Sequence, residues 1–308
     1  MIKRTIEISQ EPAYLATKHG QLQIRRGDNL VGSIPCEDIG VVLVDHPQTQ
    51  YSHSALTQLA EFNAAVVLCG RNHLPVAVLL PVSHHSNVVW RLRDQIAVGR
   101  PLSKQLWQQL IRAKIRASAS NLEVGSPAKS KLLELARQVR SGDPTNIEAL
   151  AARIYWQNWL KSDISFRRDV EGDGLNSLLN YGYAVIRAAI ARALVAAGLT
   201  PALGIKHANR GNAFALADDL VEPLRFLVDE RVRELFYQGF LELGPESKAG
   251  LLKLLAEDLQ LGSESGPMMV CLHRYIASLV KCYQGEAKKL LIPERLKSAS
   301  TTNQEKLV

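Results

Sequence analysis

The alternation of hydrophobic and polar positions changes character once along the chain, near residue 86. Before that point, short apolar runs rich in β-branched residues are separated by glycine-containing turns: TIEIS, LQIRR, VGSIP, IGVVLVD, AAVVLCG and LPVAVLLPV. Runs of this length and composition predict strands. One helical stretch interrupts them, starting near Ser54. Residues 1–86 are therefore predicted to form a small β-rich domain, ending in a linker around His84 and His85.

From Asn87 onward, apolar residues recur every three or four positions, which predicts a series of amphipathic helices. Pro101 opens one of them, and Gly198 closes a long apolar one that contains LNYGYA. Residues 87–297 are thus predicted to form a larger all-α domain. Residues 298–308, SASTTNQEKLV, are polar and are expected to be a disordered tail. The predicted fold class is α+β.

Thr145 and Glu148 have the spacing of a capping box at the start of the helix IEALAARIYWQNWL. In a capping box the glutamate reaches back to the amide of the cap residue, which is a structural role. A carboxylate in the exposed first turn of a helix is also well placed to bind a metal. The local sequence leaves both interpretations of Glu148 open.

The balance of basic and acidic residues changes at the same place as the hydrophobic period, near residue 86. Residues 1–86 carry six basic and seven acidic residues, whereas the other 222 carry 31 basic and 23 acidic ones. The predicted helix after Pro101 bears Arg112, Lys114 and Arg116 on what we interpret as its polar side. A basic surplus confined to one domain favours a polyanionic partner, with nucleic acid the first choice, although basic helix faces are often only solvated.

The remaining composition is that of an ordinary globular protein, with 46% hydrophobic and 22% charged residues. No apolar run is expected to reach the roughly 20 residues of a membrane span, and MIKRTIEISQ lacks the apolar core of a signal peptide. We therefore expect a cytoplasmic protein. Its four cysteines form no CxxC pair and are expected to be reduced and mostly buried.

The segment HANRGNAFALADDLVEPLR, residues 207–225, concentrates one imidazole and three carboxylates. Its first six residues predict a loop, and a helix is predicted from about Phe214, on which Asp218 and Glu222 share a face with Asp219 beside them. Histidine and carboxylates at such spacing can hold a divalent metal. Acidic residues are equally favoured near a helix start without any metal.

Four ordered motifs resemble one family. They are the glutamate of NIEALAARIYW, the LNYGYA helix, the GIKH loop, and NAFALADDLVEPLRFLVDERV. Together they resemble the CRISPR-associated integrase of spacer acquisition, the universal adaptation nuclease "Cas one". The segment LADDLVEP is similar to the corresponding sequence of the type II branch, whose members accompany single-protein RNA-guided effectors. The resemblance covers nearly the whole chain and implies a β-rich domain followed by a helical catalytic domain.

The resemblance also implies a set of site residues. The family's metal ligands match Glu148, His207 and Glu222, which would be the catalytic residues and would bind Mg²⁺ or Mn²⁺. Glu222 replaces an aspartate found in other branches, which keeps the charge but lengthens the arm. Asp219 matches a second acidic position near the metal, and we assign Asp218 to the helix start or to the surroundings of the ligands.

The expected chemistry is transesterification on DNA, in which a divalent cation activates a 3′-hydroxyl and neutralises the leaving oxygen. Arg210 and Arg225 flank the site and are candidates for phosphate contacts, with solvated or ion-paired roles as the alternative. Arg112, Lys114 and Arg116 are expected to follow the duplex backbone.

The resemblance further implies a homodimer, formed largely through the β-rich domain, and a heterohexamer with the small CRISPR adaptation partner protein "Cas two". The DNA substrates would be a prespacer and the CRISPR repeat. The near-neutral charge of residues 1–86 suits a protein interface better than a DNA interface. Other type II CRISPR proteins are further candidate partners.

Three functional hypotheses follow. The first is the metal-dependent integrase and endonuclease. The second is a non-catalytic DNA-binding assembly subunit whose acidic cluster only caps helices and balances arginines. The third is a metal-dependent phosphoesterase for small substrates, which the basic surplus of the helical domain disfavours.

Overall fold

A computed structural model describes residues 3–81, 85–160 and 166–296 of the 308-residue chain. His84 and the tail 298–308 lie outside the described residues, as do parts of the predicted linker. The elements of the first part are β1 Arg4–Ile8, β2 Tyr14–Lys18, β3 Gln21–Arg26, β4 Asn29–Pro35, β5 Ile39–Val44, β6 Gln50–Tyr51, α1 His53–Glu61, β7 Ala65–Cys69 and β8 Pro75–Leu79. Helix α1 begins one residue before the predicted start, because the hydroxyl of Ser52 accepts the Ala55 amide.

The strands form two sheets that share one core. The first sheet has the order β1-β5-β7-β8, with β1, β5 and β7 parallel and β8 antiparallel to β7. The second has the order β4-β3-β2-β6. The central strand β5 is buried at every position because its two faces contact different cores. Its Val42 and Val44 pack inside this first part, whereas Val41 and Leu43 join the core of the helices.

The second part is mainly helical, and the predicted fold class is confirmed. Its elements are α2 Val88–Ala97, α3 Arg100–Ser120, α4 Pro127–Gln138, α5 Ile147–Asn158, α6 Leu175–Ala196, α7 Ala215–Val221, α8 Arg225–Tyr237, α9 Pro245–Leu252, β9 Asp258–Leu261, β10 Glu264–Pro267, α10 Met268–Tyr283 and β11 Glu294–Arg295. Strands β9, β10 and β11 form a small sheet that the hydrophobic pattern did not predict. These strands are two to four residues long, too short to show a clear period.

Helix α6 is the central element of the helical core. By length and composition alone it could span a membrane, which the hydrophobic pattern did not predict. However, 78% of its most apolar 18-residue window is buried inside the protein. A close approach to α8 occurs at Gly182, where an added Cβ would overlap Cγ1 of Val228. The two helices therefore require glycine at this crossing.

A buried ion pair joins the first sheet to the helices. Lys248 in α9 is 4% exposed and donates to Asp45, the residue after β5, which is 7% exposed. His73, in the turn between β7 and β8, also lies 3.0 Å from the Asp45 carboxylate. Breaking a buried pair by removing one partner costs about 3–5 kcal/mol, so this contact fixes how the two parts pack.

All four cysteines are free thiols. Cys36, Cys271 and Cys282 are buried and Cys69 is half-buried, which confirms the predicted reduced state. Burial raises the pKa of the Cys69 thiol to about 12, with the nearby carboxylate of Asp45 adding to the effect. These thiols are therefore protonated and pack as small apolar groups.

Candidate metal and nucleic-acid site

Helix α5 presents Glu148 differently from the predicted capping box. Thr145 does not cap the helix; instead the carboxylate of Asp143 accepts the amides of Ile147 at 2.9 Å and Glu148 at 3.0 Å. Of the two interpretations left open for Glu148, the capping box with Thr145 does not form, because the left-handed backbone of Asp143, with φ of 49°, brings its own side chain under the first turn. The side chain of Glu148 is consequently free to reach another helix.

Glu148 and Glu222 converge on one ammonium group. Nζ of Lys114, in α3, lies 2.6 Å from Oε1 of Glu148 and 2.5 Å from Oε2 of Glu222. The second contact is an ion pair without good hydrogen-bond geometry, and that buried Glu222 oxygen has no hydrogen bond within the described part of the chain. Two carboxylates from distant parts of the sequence can therefore reach a common cation.

Glu222 lies in the short 3₁₀ turn between α7 and α8, where Pro223 interrupts the α-helical hydrogen bonding. Its side chain is 8% exposed and also contacts Arg225 at 3.1 Å. Burial disfavours the charged carboxylate, but Lys114 and Arg225 outweigh it and hold the pKa of Glu222 below its usual value. The same attraction overcomes burial at Lys114 and raises the pKa of the ammonium.

His207 is oriented by Asp219. The imidazole Nδ1–H donates to Oδ1 of Asp219 at 2.6 Å, and burial of Asp219 is complete. The other Asp219 oxygen accepts the amides of Ile205 at 2.5 Å and Lys206 at 2.9 Å. The loop comes this close because Gly204 has no side chain: an added Cβ would overlap the His207 carbonyl. Asp219 thus fixes both the loop and the ring.

This arrangement leaves Nε2 of His207 available. The side chain of His207 is 47% exposed, and no partner of Nε2 occurs in the part of the chain that the structure describes. The hydrogen bond to Asp219 raises the pKa of His207 despite partial burial. Histidines that bind metals commonly donate their other ring N–H to a carboxylate in this way.

One face of α3 connects the two halves of the site. Trp107 meets the His207 ring edge-on, with ring centroids 5.8 Å apart. Lys114 follows seven residues later on the same face, about 10 Å further along the helix axis. The three predicted ligands therefore lie against one face of α3. Within the described ranges, however, no group of three or more His, Cys, Asp or Glu side chains has metal-ligand spacing.

The predicted DNA-contacting residues have separate environments. Lys114 and Arg225 are held by the site glutamates, and Arg112 donates to the carbonyl of Val139 at 2.8 Å, which joins α3 to the residue after α4. Arg116 and Arg210 are exposed. Lys114 follows Leu110 and Ile111 at helical spacing, so it belongs to the buried face rather than the polar one. A lysine within an apolar stripe was the sequence signal that could have indicated this buried position.

Asp218 lies beside the site without entering it. It accepts from Nδ2 of Asn212 at 2.7 Å and lies 3.5 Å from Arg187, in the first turn of α7. These contacts close the loop that follows His207. They fit the helix-start role expected for Asp218.

A buried polar network supports Glu222 from behind. The guanidinium of Arg225 lies 4.0 Å from the ring centroid of Tyr183, whose hydroxyl donates to Asp229. Burial raises the pKa of Asp229 to about 6. A cleft of about 160 Å³ opens beside this network and is lined by Lys114, Glu148, Tyr155, Trp156, Arg225 and Asp229. Tyr183 lies in the LNYGYA segment of α6.

Comparisons with known proteins place the chain in a family. The family model "CRISPR associated protein Cas1" matches residues 6–246. A "CRISPR-associated endonuclease Cas1" from Neisseria meningitidis is 35% identical over 288 residues, covering 90% of this chain and 94% of the relative.

Solved structures share the fold over nearly the whole chain. A "Casposase bound to integration product" has a TM-score of 0.79 at 19% identity and covers 99% of this chain and 98% of its own. A "Cas6-RT-Cas1–Cas2 complex" has a TM-score of 0.77 at 17% identity and covers 96% of this chain and 36% of that one. With the family model spanning most of the sequence, the chain belongs to the CRISPR-associated Cas1 family.

Proposed function

We propose that this protein is a metal-dependent DNA endonuclease and integrase of CRISPR adaptation, which inserts prespacer DNA into the CRISPR array by attack of a 3′-hydroxyl on repeat phosphodiesters. The observation that carries the proposal is the convergence of Glu148 and Glu222 on one cationic group, next to an oriented His207. The Neisseria relative, a CRISPR-associated endonuclease, supports the nuclease activity, and the casposase bound to its integration product supports integration.

The residues of the site suit a hard divalent cation. Two carboxylates already reach a common positive group, and a neighbouring imidazole has one nitrogen committed to a carboxylate and the other available. Glu148, His207 and Glu222 would hold Mg²⁺ or Mn²⁺. Such an ion supplies Lewis-acid stabilisation of the charge that develops at the phosphate and at the attacking and leaving oxygens.

The chain's own side chains then have distinct tasks. Asp219 keeps the Nδ1 proton of His207 in place and so leaves Nε2 for a ligand. Arg225, stacked on Tyr183, fixes Glu222 from one side. Lys114 neutralises the charge of Glu148 and Glu222, and its ammonium group must move when a metal ion takes its position. Arg116 and Arg210 are exposed and suit contacts with the DNA backbone.

Assembly as a homodimer and with Cas2 is part of the same proposal. A solved Cas1–Cas2 complex whose fold matches this chain supports that partner. Leu30 and Val31, on the edge strand β4, are 53% and 51% exposed, and such apolar exposure on a weakly charged domain suits a protein interface. Leu30→Asp in the full chain should produce monomers in analytical ultracentrifugation, whereas an unchanged dimer would exclude this strand from the interface.

The decisive experiment is strand transfer on a branched DNA with Mn²⁺, Mg²⁺ or EDTA, with Cas2 supplied. Glu148→Ala, His207→Ala and Glu222→Ala should each abolish joining while leaving DNA binding and folding largely intact. Glu134→Ala removes an exposed glutamate on α4 and serves as the matched control.

The alternative function predicts a different result. Lys114 pairs with both Glu148 and Glu222, and such charge balance is also expected in a DNA-binding assembly subunit. Equal DNA binding by parent and His207→Ala, with no metal-dependent joining or cleavage in either, would establish that subunit and exclude the catalytic assignment.

A further inference from the structure

A second cleft, of about 460 Å³, lies between α2, the end of α6 and α10. Its polar lining includes His85, Arg91, His273, Lys281 and Glu286. None of these residues belongs to the site described above. The volume falls within the range of clefts that take small ligands, roughly 300–1,000 Å³.

Arg91 has unused hydrogen-bonding capacity in this cleft. Its Nε and Nη1 are shielded from solvent and have no hydrogen-bond partner among residues 3–81, 85–160 and 166–296. Nor does Arg91 form an ion pair with any residue in the described ranges. Leaving a buried donor unsatisfied costs about 1–3 kcal/mol, and more for a charged group. An acceptor at this position would remove that cost.

Arg192 adds a second unpaired cation behind the cleft. It is 2% exposed, donates Nε to the carbonyl of Asn63, and lies 3.1 Å from Nε2 of His273 through Nη1. Among the described residues no carboxylate pairs with it, although buried charges normally have a counter-charge. Burial lowers the pKa of Arg192 to about 10, so the guanidinium keeps its charge at neutral pH.

His273 connects the arginine to the cleft. Burial, followed by the charges of Arg192 and Lys3, lowers the pKa of His273 to about 4, so the ring is neutral. Because a guanidinium can only donate, Nε2 of His273 accepts from Arg192 and the ring proton is on Nδ1. His273 therefore has one ring N–H donor, on Nδ1, and this donor is polarised by the buried charge of Arg192.

The donors and charges around the cleft define the chemistry of its ligand. Arg91 and Lys281 line it with positive charge, and Arg192 adds to that charge from behind. The nearby carboxylates are Glu286 in the lining and Asp94, which contacts Gln284; neither pairs with these cations. We propose that this cleft is a phosphate-binding site, in which phosphate oxygens accept from Arg91 and balance the unpaired arginines.

A phosphate group can come from the DNA backbone or from a free phosphate-bearing small molecule. The first test uses inorganic phosphate and pyrophosphate as probes, with the full chain in EDTA so that the metal site plays no part. Thermal unfolding and ³¹P NMR titrations compare the parent with Arg91→Gln and Lys281→Gln. Arg93→Gln is the matched control, because Arg93 lies on the same helix, stacks on exposed Trp90 and is outside the cleft.

We expect phosphate to raise the melting temperature of the parent and of Arg93→Gln. In Arg91→Gln the apparent affinity should fall about tenfold, the loss expected for one charge-assisted hydrogen bond. No stabilisation of the parent at about 10 mM phosphate, a concentration well above a millimolar dissociation constant, would overturn the proposal. Equal responses of Arg91→Gln and Arg93→Gln would overturn it too, leaving only non-specific ion binding.

The second arm identifies the source by measuring DNA affinity across a salt series, again without metal. If DNA supplies the phosphate, Arg91→Gln should weaken binding and reduce the salt slope by roughly 0.9, the value for one phosphate contact. Unchanged DNA binding together with lost phosphate binding would assign the cleft to a small molecule. Failure of strand joining would disprove the catalytic proposal but leave this result unaffected.

Discussion

Replacing Lys114 by methionine would remove the positive charge between Glu148 and Glu222 while keeping most of the volume of the side chain. The lysine side chain is 19% exposed, and the two glutamates are 25% and 8% exposed. Without the ammonium, two carboxylates would face each other in a partly buried site. The variant should therefore be less stable without metal and should bind a divalent cation more tightly.

The magnitude follows from the two ion pairs. Removing one partner of a buried pair costs about 3–5 kcal/mol, and partial exposure of Glu148 together with the remaining Arg225 contact places this variant near 3 kcal/mol. At roughly 2–4 °C for each kcal/mol, the melting temperature should fall by about 6–12 °C. A cation that no longer has to displace the ammonium should bind at least about tenfold more tightly, a gain of about 1.4 kcal/mol.

Calorimetric titration with Mn²⁺ and thermal unfolding with and without the metal would measure both effects. Arg116→Met is the control, since Arg116 is an exposed cation on the same helix. The metal-induced rise in melting temperature should be larger in Lys114→Met than in the parent or the control. Equal Mn²⁺ affinity in all three proteins would refute the idea that Lys114 holds the position of the metal.

Three further predictions concern the scaffold. Gly182→Ala should lower the free energy of unfolding by about 1–3 kcal/mol, because its methyl group would overlap Val228; chemical denaturation measures this. The free energy of unfolding should fall as the pH drops from about 6.5 to 4, because His273 takes up a proton in the unfolded state, whereas burial and Arg192 prevent this in the folded state. The loss is at most about 3 kcal/mol and should be smaller in His273→Leu. Asp143→Ala should cost about 1–2 kcal/mol by exposing the first amides of α5.

Each of these has a contrary outcome. A Gly182→Ala protein as stable as the parent would show that α8 can shift without loss. A pH profile identical in His273→Leu and the parent would assign acid sensitivity to other groups. An Asp143→Ala protein as stable as the parent would show that the Asp143 cap contributes little to the stability of α5.

The sequence by itself determined the fold class and most of the helices. Helical periodicity beyond residue 86 and β-branched runs before it are local signals, because each residue's face depends only on the period of its own element. The loop at His207 and the helix after Phe214 could also be predicted, since polar and glycine-rich segments cannot pack as a core. The motif order was sufficient to indicate the family.

Only the tertiary structure decided how the candidate site is arranged. Lys114 is 34 residues from Glu148, and no local pattern indicates that a lysine on α3 will lie between glutamates from α5 and the turn after α7. The same holds for Asp143 replacing Thr145 as the cap, and for the short strands β9 to β11. The physical reason is that the partner of a charge, or of a two-residue strand, is set by the packing of distant segments, whereas hydrophobic period is set by neighbours along the chain.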